Sequence, residues 1–407
     1  VIRLGFMQDT DIFRRLLGLN EEWEVSSVEL DEKADSIELH VQHLGKAHCP
    51  VCGKVSRIHD YSDERRWRHL DTMQFKTYVA CRVPRCDCSE HGVKQILVPW
   101  SGPHSRFTAL FESLAIDLLR MTKCQSRTGK ILRLNPWQVH DIMRRAVDRG
   151  LERRKLGMIH HLSIDEKSYQ HHHKYGCVLT DLAGRRVLDL VEGRDEKAAR
   201  SLLGGLPYPE AVKTITMDLA PAYRSAAYEE IPKADVIHDR FHLAMNLNLA
   251  LDKVRKAELK THPELKDTKY VWLKNPDKRT HRQEATFQEL VTKELETAKA
   301  YALKELFKHF FEQKTVRKGA KFLGEWLSAV NESGMKPMIA CAKTIDERFI
   351  GLLNYIKWKT SNGYAECLNS MIQEITTVAR GFRRFENFRI AVLFFLGKLS
   401  LYPQKSP

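Results

Sequence analysis

The chain has 407 residues, enough for roughly two to three domains with cores of their own. Hydrophobic residues make up 43% and charged residues 29%, the profile of a globular and not a disordered chain. With 66 Lys and Arg against 52 Asp and Glu the net charge is +14, which predicts a polyanionic partner, nucleic acid before an anionic membrane surface.

No membrane association is expected: the longest clean apolar run, residues 390–397, falls far short of the ~20 residues of a membrane span. No signal-peptide pattern is expected either, since Arg3 is followed by only a short mixed stretch before Gln8 and Asp9. Nine cysteines in a chain this long do not suit a secreted disulfide scaffold. The expectation is an intracellular protein whose clustered cysteines serve metal or catalysis.

Residues 1–104 read as short strands around a cysteine cluster. Ile37, Leu39 and Val41 alternate with polar residues, 94–100 reads as a further strand, and Gly102-Pro103 ends the region. Cys49-Pro-Val-Cys52-Gly is a metal knuckle: the spacing lets two thiolates grip one ion, and the glycine allows the tight turn. The second half offers Cys81, Cys86, Cys88 and His91. Cys88-Ser-Glu-His91 repeats the knuckle's gap, so Cys49, Cys52, Cys88 and His91 are the favoured ligands of one structural Zn2+, with Cys81 and Cys86 as the alternative second half. Between the halves, Arg65, Arg66 and Arg68 alternate with aromatic residues, which suits phosphate contacts as well as it suits a solvated hairpin face.

Residues 105–156 read as three helices. The third begins at Asn135-Pro136, an N-cap followed by proline, and buries Val139, Ile142, Met143, Ala146 and Val147. Gln138, His140, Asp141, Arg144 and Arg145 are then left outward, able to meet base edges and phosphates if the trio is a helix-turn-helix. Similar helix pairs occur in proteins that bind no DNA.

From residue 158 the pattern changes to a hairpin over 175–191, a helix over 196–203, a strand over 212–218, a helix over 222–228 and a strand over 234–238, an α/β sheet flanked by helices. Asp165 follows one apolar strand and Asp218 ends another. Two such carboxylates side by side favour a divalent metal between them, and Glu366 on a helix over the sheet would complete the set, with Asn369 and Gln373 on its face. The competing reading is a pair of turn caps and a dipole-favoured glutamate. Residues 257–345 are long, charged and helical. Their apolar positions Leu303, Leu306, Phe307, Phe310 and Phe311 must bury against an internal subdomain or a partner.

With these residues in view, the chain resembles a bacterial insertion-sequence transposase of the ISL-three (ISL3) family. The stretches that carry the likeness run almost end to end. They are the CPVCG knuckle, Val83 to Gly92, Ser101-Gly-Pro-His-Ser-Arg-Phe-Thr108, Ser163-Ile-Asp-Glu-Lys-Ser168 and Thr216-Met-Asp-Leu219. Asp239-Arg-Phe-His242, Trp272-Leu-Lys-Asn275, Ser361-Asn-Gly-Tyr-Ala-Glu366 and Arg380-Gly-Phe-Arg383 follow.

The resemblance implies a multidomain α+β protein. Its parts would be an N-terminal zinc-binding β domain (1–104), a helix-turn-helix (105–156) and a ribonuclease-H-like catalytic core (157–256 and 346–407) interrupted by a helical insertion (257–345). It also implies the DDE set Asp165, Asp218 and Glu366 holding two Mg2+ or Mn2+ ions for two-metal phosphoryl transfer. Asp239 and His242 match a DxxH motif of related transposases, to position DNA or buttress the site, unless they are a helix cap and a core histidine. Lys167, Lys213, Arg380, Arg383 and Arg384 are candidate phosphate contacts. The implied partners are transposon-end and target DNA and a second copy of the chain, as a DNA-bound homodimer in a cytoplasmic, nucleoid-associated setting. The rival class is a non-catalytic zinc and helix-turn-helix regulator, which would bind without cutting.

Overall fold

A computed structural model describes residues 8–170, 174–359 and 363–404. Residues 1–7 and the Ser361-Asn362 part of one motif lie outside them. The chain forms two compact units, residues 1–154 with 399–407, and residues 155–398.

The first unit opens with α1 (Asp9–Leu17), a helix with no counterpart in the sequence expectation, stopped by Gly18 at φ 65°. Strands β1 (Trp23–Asp31), β2 (Ser36–His43), β3 (Ala47–His48), β4 (Val55–Arg68) and β5 (Lys76–Cys88) follow, then β6 (Gly92–Gln95). They make one sheet in the order β1-β2-β5-β4-β3, with β6 on β5; β2 and β5 run parallel and the other pairs antiparallel. β4 and β5 are 14 and 13 residues long, not the short strands expected. The strand expected over 94–100 is likewise corrected. Ladder pairing ends at Gln95, and Pro99 has no N–H to give. Ile96, Val98 and Trp100 nevertheless stay buried, and Trp100 meets Trp23 and Trp67 edge-on at 4.9 and 5.6 Å.

Helices α2 (Ala109–Thr122), α3 (Gln125–Leu132) and α4 (Pro136–Arg153) complete this unit. Much of the Ser101 to Thr108 motif is scaffolding for α2. Thr108 caps it through the Phe111 N–H, Phe107 stacks on Phe111, and buried Ser105 donates to Glu112. Asn135 and Gln138 form a reciprocal capping box at the start of α4, and Val139, Ile142, Met143, Ala146 and Val147 form its buried stripe.

The second unit is built on a five-stranded sheet. It comprises β7 (His161–Gln170), β8 (Lys174–Asp181) and β9 (Arg186–Glu192), then α5 (Glu196–Leu203), β10 (Thr214–Met217), α6 (Pro221–Glu230) and β11 (Asp235–His238). The strand order is β11-β10-β7-β8-β9; β7, β8 and β9 are an antiparallel meander, while β10 runs parallel to both β7 and β11. Leu162, Ile164, Leu179 and Ile215 pack with Ala199, Leu203, Tyr223 and Ala226 of α5 and α6 in one core.

Helices α7 (Arg240–Glu258), α8 (Lys269–Leu273), α9 (His281–Val291), α10 (Glu296–Phe307), α11 (Val316–Glu332), α12 (Lys336–Asp346) and α13 (Phe349–Trp358) share a second core. Phe307 and Phe310 are buried in it beside Trp326, with Leu303 and Phe311 packed against it, so this apolar face is mostly spent internally; Leu306 stays exposed. α14 (Gly363–Val378) and α15 (Phe385–Leu396) return to the sheet, α14 against β7 and α15 against β9. The α14 end is a tight turn: Arg380 and Gly381 take φ 57° and 84°, Gly381 N–H donates to the Thr376 carbonyl, and Phe382 N–H donates to the Tyr169 carbonyl of β7. No helix among the described residues is long and apolar enough to cross a membrane.

Candidate metal centres and nucleic-acid interface

Two knuckles of like design face each other in the first unit. Cys49 and Cys52 sit in the β3–β4 turn, closed by Gly53 at φ 71°, whose N–H donates to the Cys49 carbonyl. Cys88 ends β5 and His91 lies in the turn before Gly92, at φ 65°. Both glycines therefore occupy the left-handed region their turns require. Cys52 Sγ lies 3.7 Å from Cys88 Sγ, and His91 Nδ1 lies 3.6 Å from Cys88 Sγ and 3.8 Å from Cys49 Sγ. A zinc tetrahedron with Zn–S of about 2.3 Å and Zn–N of about 2.0 Å has edges of about 3.8 Å between sulfurs and about 3.6 Å between sulfur and nitrogen. These three separations thus match the edges of such a tetrahedron. The backbone N–H of Glu90, with His91, holds the Cys88 thiol down at about 6, which favours the thiolate that binds metal. Among the described residues this is the one group of His, Cys, Asp and Glu whose ligand atoms all lie within 4.8 Å of one another. Cys81 and Cys86 lie outside it, buried in the sheet core, where burial pushes the Cys81 thiol up to about 12.

The cations expected at a DNA surface divide sharply. Arg66 is exposed, lies over Tyr78 at 3.6 Å and pairs with Glu38 at 2.8 Å; Arg65 lies over Trp67. Arg68 does not share their surface. It is 5% exposed, donates to the His69 and Thr77 carbonyls and pairs with Asp71. On α4, Arg145 is also turned inward, bonding Glu112 at 2.8 Å and Asp141 at 2.7 Å. Arg149 reaches the same Glu112, a carboxylate only 3% exposed. Arg144 is bound to Asp141 and Asp148 of its own helix, Gln138 closes the capping box, and His140 is half-buried against Gln125. Burial holds the His140 imidazole below its usual range.

In the second unit, Asp165 lies in the middle of β7 opposite Val178 of β8, and Asp218 follows the last residue of neighbouring β10. Asp218 Oδ1 accepts from the Ala220 N–H at 2.8 Å, an Asx turn that points the chain into α6. Asp165 Oδ1 accepts from the Glu166 N–H, while Oδ2 receives Asn369 Nδ2 at 2.5 Å and faces Lys167 Nζ at 3.4 Å. Asn369 is one turn beyond Glu366 on α14, so this bond ties the helix carrying Glu366 to the strand carrying Asp165. Glu366 itself is exposed, and the three carboxylates do not close to within 4.8 Å of one another.

Burial pushes the Asp218 carboxyl up, and the nearby Asp165 charge adds to it, while His242 and Arg348 pull the other way. Glu166, absent from the sequence expectation as a site member, is raised for the same first reason and faces Arg194 at 3.8 Å. Asp239 caps α7, accepting from the Phe241 N–H at 2.9 Å, and half-buried His242 lies close enough to act on both Asp218 and Glu166. His238 Nδ1 sits 3.0 Å from the Asp218 carbonyl, and Arg348 donates to the Leu219 carbonyl at 2.7 Å, so the strand end bearing Asp218 is held on two sides. Arg380, Arg383 and Arg384 are exposed, with no ion pair among the described residues.

A family model described as transposase, of the DDE type and the ISL3 group, matches residues 162–392, more than half the chain. A second, described as the zinc-finger of transposase IS204/IS1001/IS1096/IS1165, matches residues 45–91 and so spans all four knuckle ligands. The transposase for insertion sequence element IS1557 of Mycobacterium tuberculosis is 24% identical over 416 aligned positions, covering 93% of each chain. The transposase for insertion sequence element IS1001 of Bordetella parapertussis is 21% identical over 355 positions, covering 84% of this chain and 87% of its own. The chain belongs to the ISL3 family of insertion-sequence transposases and carries that family's zinc ribbon.

Proposed function

We propose that this transposase binds the terminal inverted repeats of its insertion sequence and catalyses metal-dependent strand cleavage and strand transfer, with Asp165, Asp218 and Glu366 as the metal-holding carboxylates. The observation that carries the reading is the Asn369–Asp165 hydrogen bond. It sets a carboxylate on a central strand against the helix that bears Glu366, with Asp218 at the end of the next parallel strand. The strand order β11-β10-β7-β8-β9, an antiparallel meander joined to two parallel strands, supports a ribonuclease-H-like core.

The donor set fits magnesium or manganese: three carboxylates supply hard oxygen ligands, and no thiol or free imidazole competes among the three. When bound, two such ions supply Lewis-acid activation of water or a DNA 3′-hydroxyl and stabilise the leaving 3′-oxygen. Asp165 is oriented by Asn369 and Lys167, and Asp218 by the Ala220 N–H. His242 stands beside Asp218 and Glu166, where it can steady a phosphate or the carboxylates. Exposed Arg380, Arg383 and Arg384, on the turn and segment after α14, are suited to grip the DNA backbone near the cut. Cys49, Cys52, Cys88 and His91 hold one structural Zn2+ that makes the β4–β5 region a rigid support, and α2 to α4 act as a helix-turn-helix. Joining two ends with one carboxylate set per chain calls for a homodimer on DNA, in the cytoplasm where the nucleoid lies.

Incubation with a duplex carrying the element's own terminal sequence, with and without Mg2+, tests the reading by mapping the cut strands. Mg2+-dependent cutting at the element's end supports it. End binding with no cutting under any divalent ion would instead favour the non-catalytic regulator.

A further inference from the structure

The structure assigns the DNA-contacting surface of the three-helix module to the first turn of α4 and the outer face of α3, with Trp137 as the apolar, sequence-reading contact to base edges in duplex DNA and the α3 cations as phosphate contacts. This rests on the DNA-binding reading above and narrows it to particular side chains.

The middle of α4 is poorly suited to a polyanion. Arg144 lies two turns beyond Trp137 on the same outward face, but Asp141 and Asp148 flank and neutralise it. Arg145 and Arg149 are committed to buried Glu112. A duplex laid along this stretch would meet two carboxylates for one arginine.

The first turn is different. Trp137 is 77% exposed, although burying an aromatic ring of that size is worth more than burying any other side chain in the module. It points away from the stripe begun by Val139. On α3, Arg127 and Lys130 are exposed, three residues apart on one face, with no ion pair among the described residues. Ile131 beside them is 58% exposed. A surface that combines unneutralised cations with bare apolar groups fits a nucleic-acid groove, where cations meet phosphates and apolar atoms meet the thymine methyl and base edges. In helix-turn-helix proteins the N-terminal residues of the second helix reach the bases, which is where Trp137 stands.

The fold also supplies the probe. Of the seven tryptophans, Trp23, Trp67, Trp100, Trp272 and Trp326 are buried and Trp358 is half-buried, so Trp137 dominates the quenchable emission. The test uses full-length protein, a duplex bearing the element's terminal sequence, and a scrambled duplex of equal length. Trp137→Ala is expected to weaken end binding by about tenfold while changing scrambled-duplex binding less than about twofold. Arg127→Ala with Lys130→Ala is expected to weaken binding to both and lower the salt slope by about 1.8. End DNA should protect the emission of the wild-type protein from iodide, and Trp137→Phe should abolish most of that protection. Because Trp137 is exposed, the variant should melt with the wild-type protein. Wild-type protein that binds ends, with Trp137→Ala binding equally well and iodide access unchanged, would overturn this surface alone. Wild-type protein that binds neither duplex would overturn the DNA reading and this surface with it.

Discussion

Asn369 Nδ2 lies 2.5 Å from Asp165 Oδ2, across 204 residues of sequence. The bond joins α14 to β7 at the position where two of the proposed metal-holding carboxylates are carried, and it uses the neutral end of an amide on the carboxylate oxygen that Lys167 also faces.

Asn369→Ala is therefore expected to cut single-turnover cleavage of end DNA by about 10–100-fold, with end binding unchanged and a higher Mg2+ requirement. Asn369→Asp should be worse, because it sets a second negative charge against Asp165. A magnesium titration of both variants checks this, and an unchanged titration would show that the bond does not orient the site.

Zinc should be present at about one ion per chain. Cys52→Ser should lose it and unfold the first unit, while a separate thermal transition of the second unit survives. Cys81→Ala should keep the metal, since Cys81 lies in the core and not in the knuckle pair. Metal analysis of the two variants distinguishes the ligand from the buried thiol.

Arg145 is expected to matter for stability and not for salt-dependent DNA binding. Glu112 is 3% exposed and holds both Arg145 and Arg149. Glu112→Ala leaves two half-buried guanidinium groups without their shared carboxylate, and should destabilise the first unit by about 3 kcal/mol. Thermal melting checks the loss; Arg145→Ala should also melt early, with the salt slope of binding unchanged.

Burial, with the Arg68 charge beside it, holds His69 down at about 4 against an ordinary 6.5. The unfolded chain then takes a proton near pH 6.5 that the folded unit refuses until about pH 4. Stability is full above pH 6.5 and falls as pH drops through that window, by about 3 kcal/mol. His69→Asn, which can keep the contact to Thr108, should flatten the pH dependence of the first unit's melting relative to wild type. Identical slopes would remove His69 as the cause.

Features written in local spacing were legible in the sequence. The two knuckles need only a two-residue gap and a glycine, and the Asn135 cap needs only the following proline and the apolar stripe. The β8–β9 hairpin and α5 follow directly from periodicity. What escaped depends on distant partners. The outward expectation for Arg145 failed because Glu112 lies 33 residues away on α2, and that for Arg68 because its Thr77 acceptor lies across the β4–β5 pair. Strand 94–100 failed because burial of alternate apolar residues looks alike in a strand and in a loop lying on a core. Trp137 carried no signal, since only the packed module shows which aromatic residue is left outside.

If Asp165, Asp218 and Glu366 form one metal-dependent cleavage site, removing any one of their charges must stop cutting without releasing the DNA. Strand-cut mapping on the element's end duplex with Mg2+ decides this, with Asp165→Asn, Asp218→Asn and Glu366→Gln run beside the wild-type protein. All three variants are expected to bind the end with near wild-type affinity, and each to lose cleavage by at least about 1,000-fold. Cutting at near wild-type rate by any one of them would show that the three carboxylates do not act as one site.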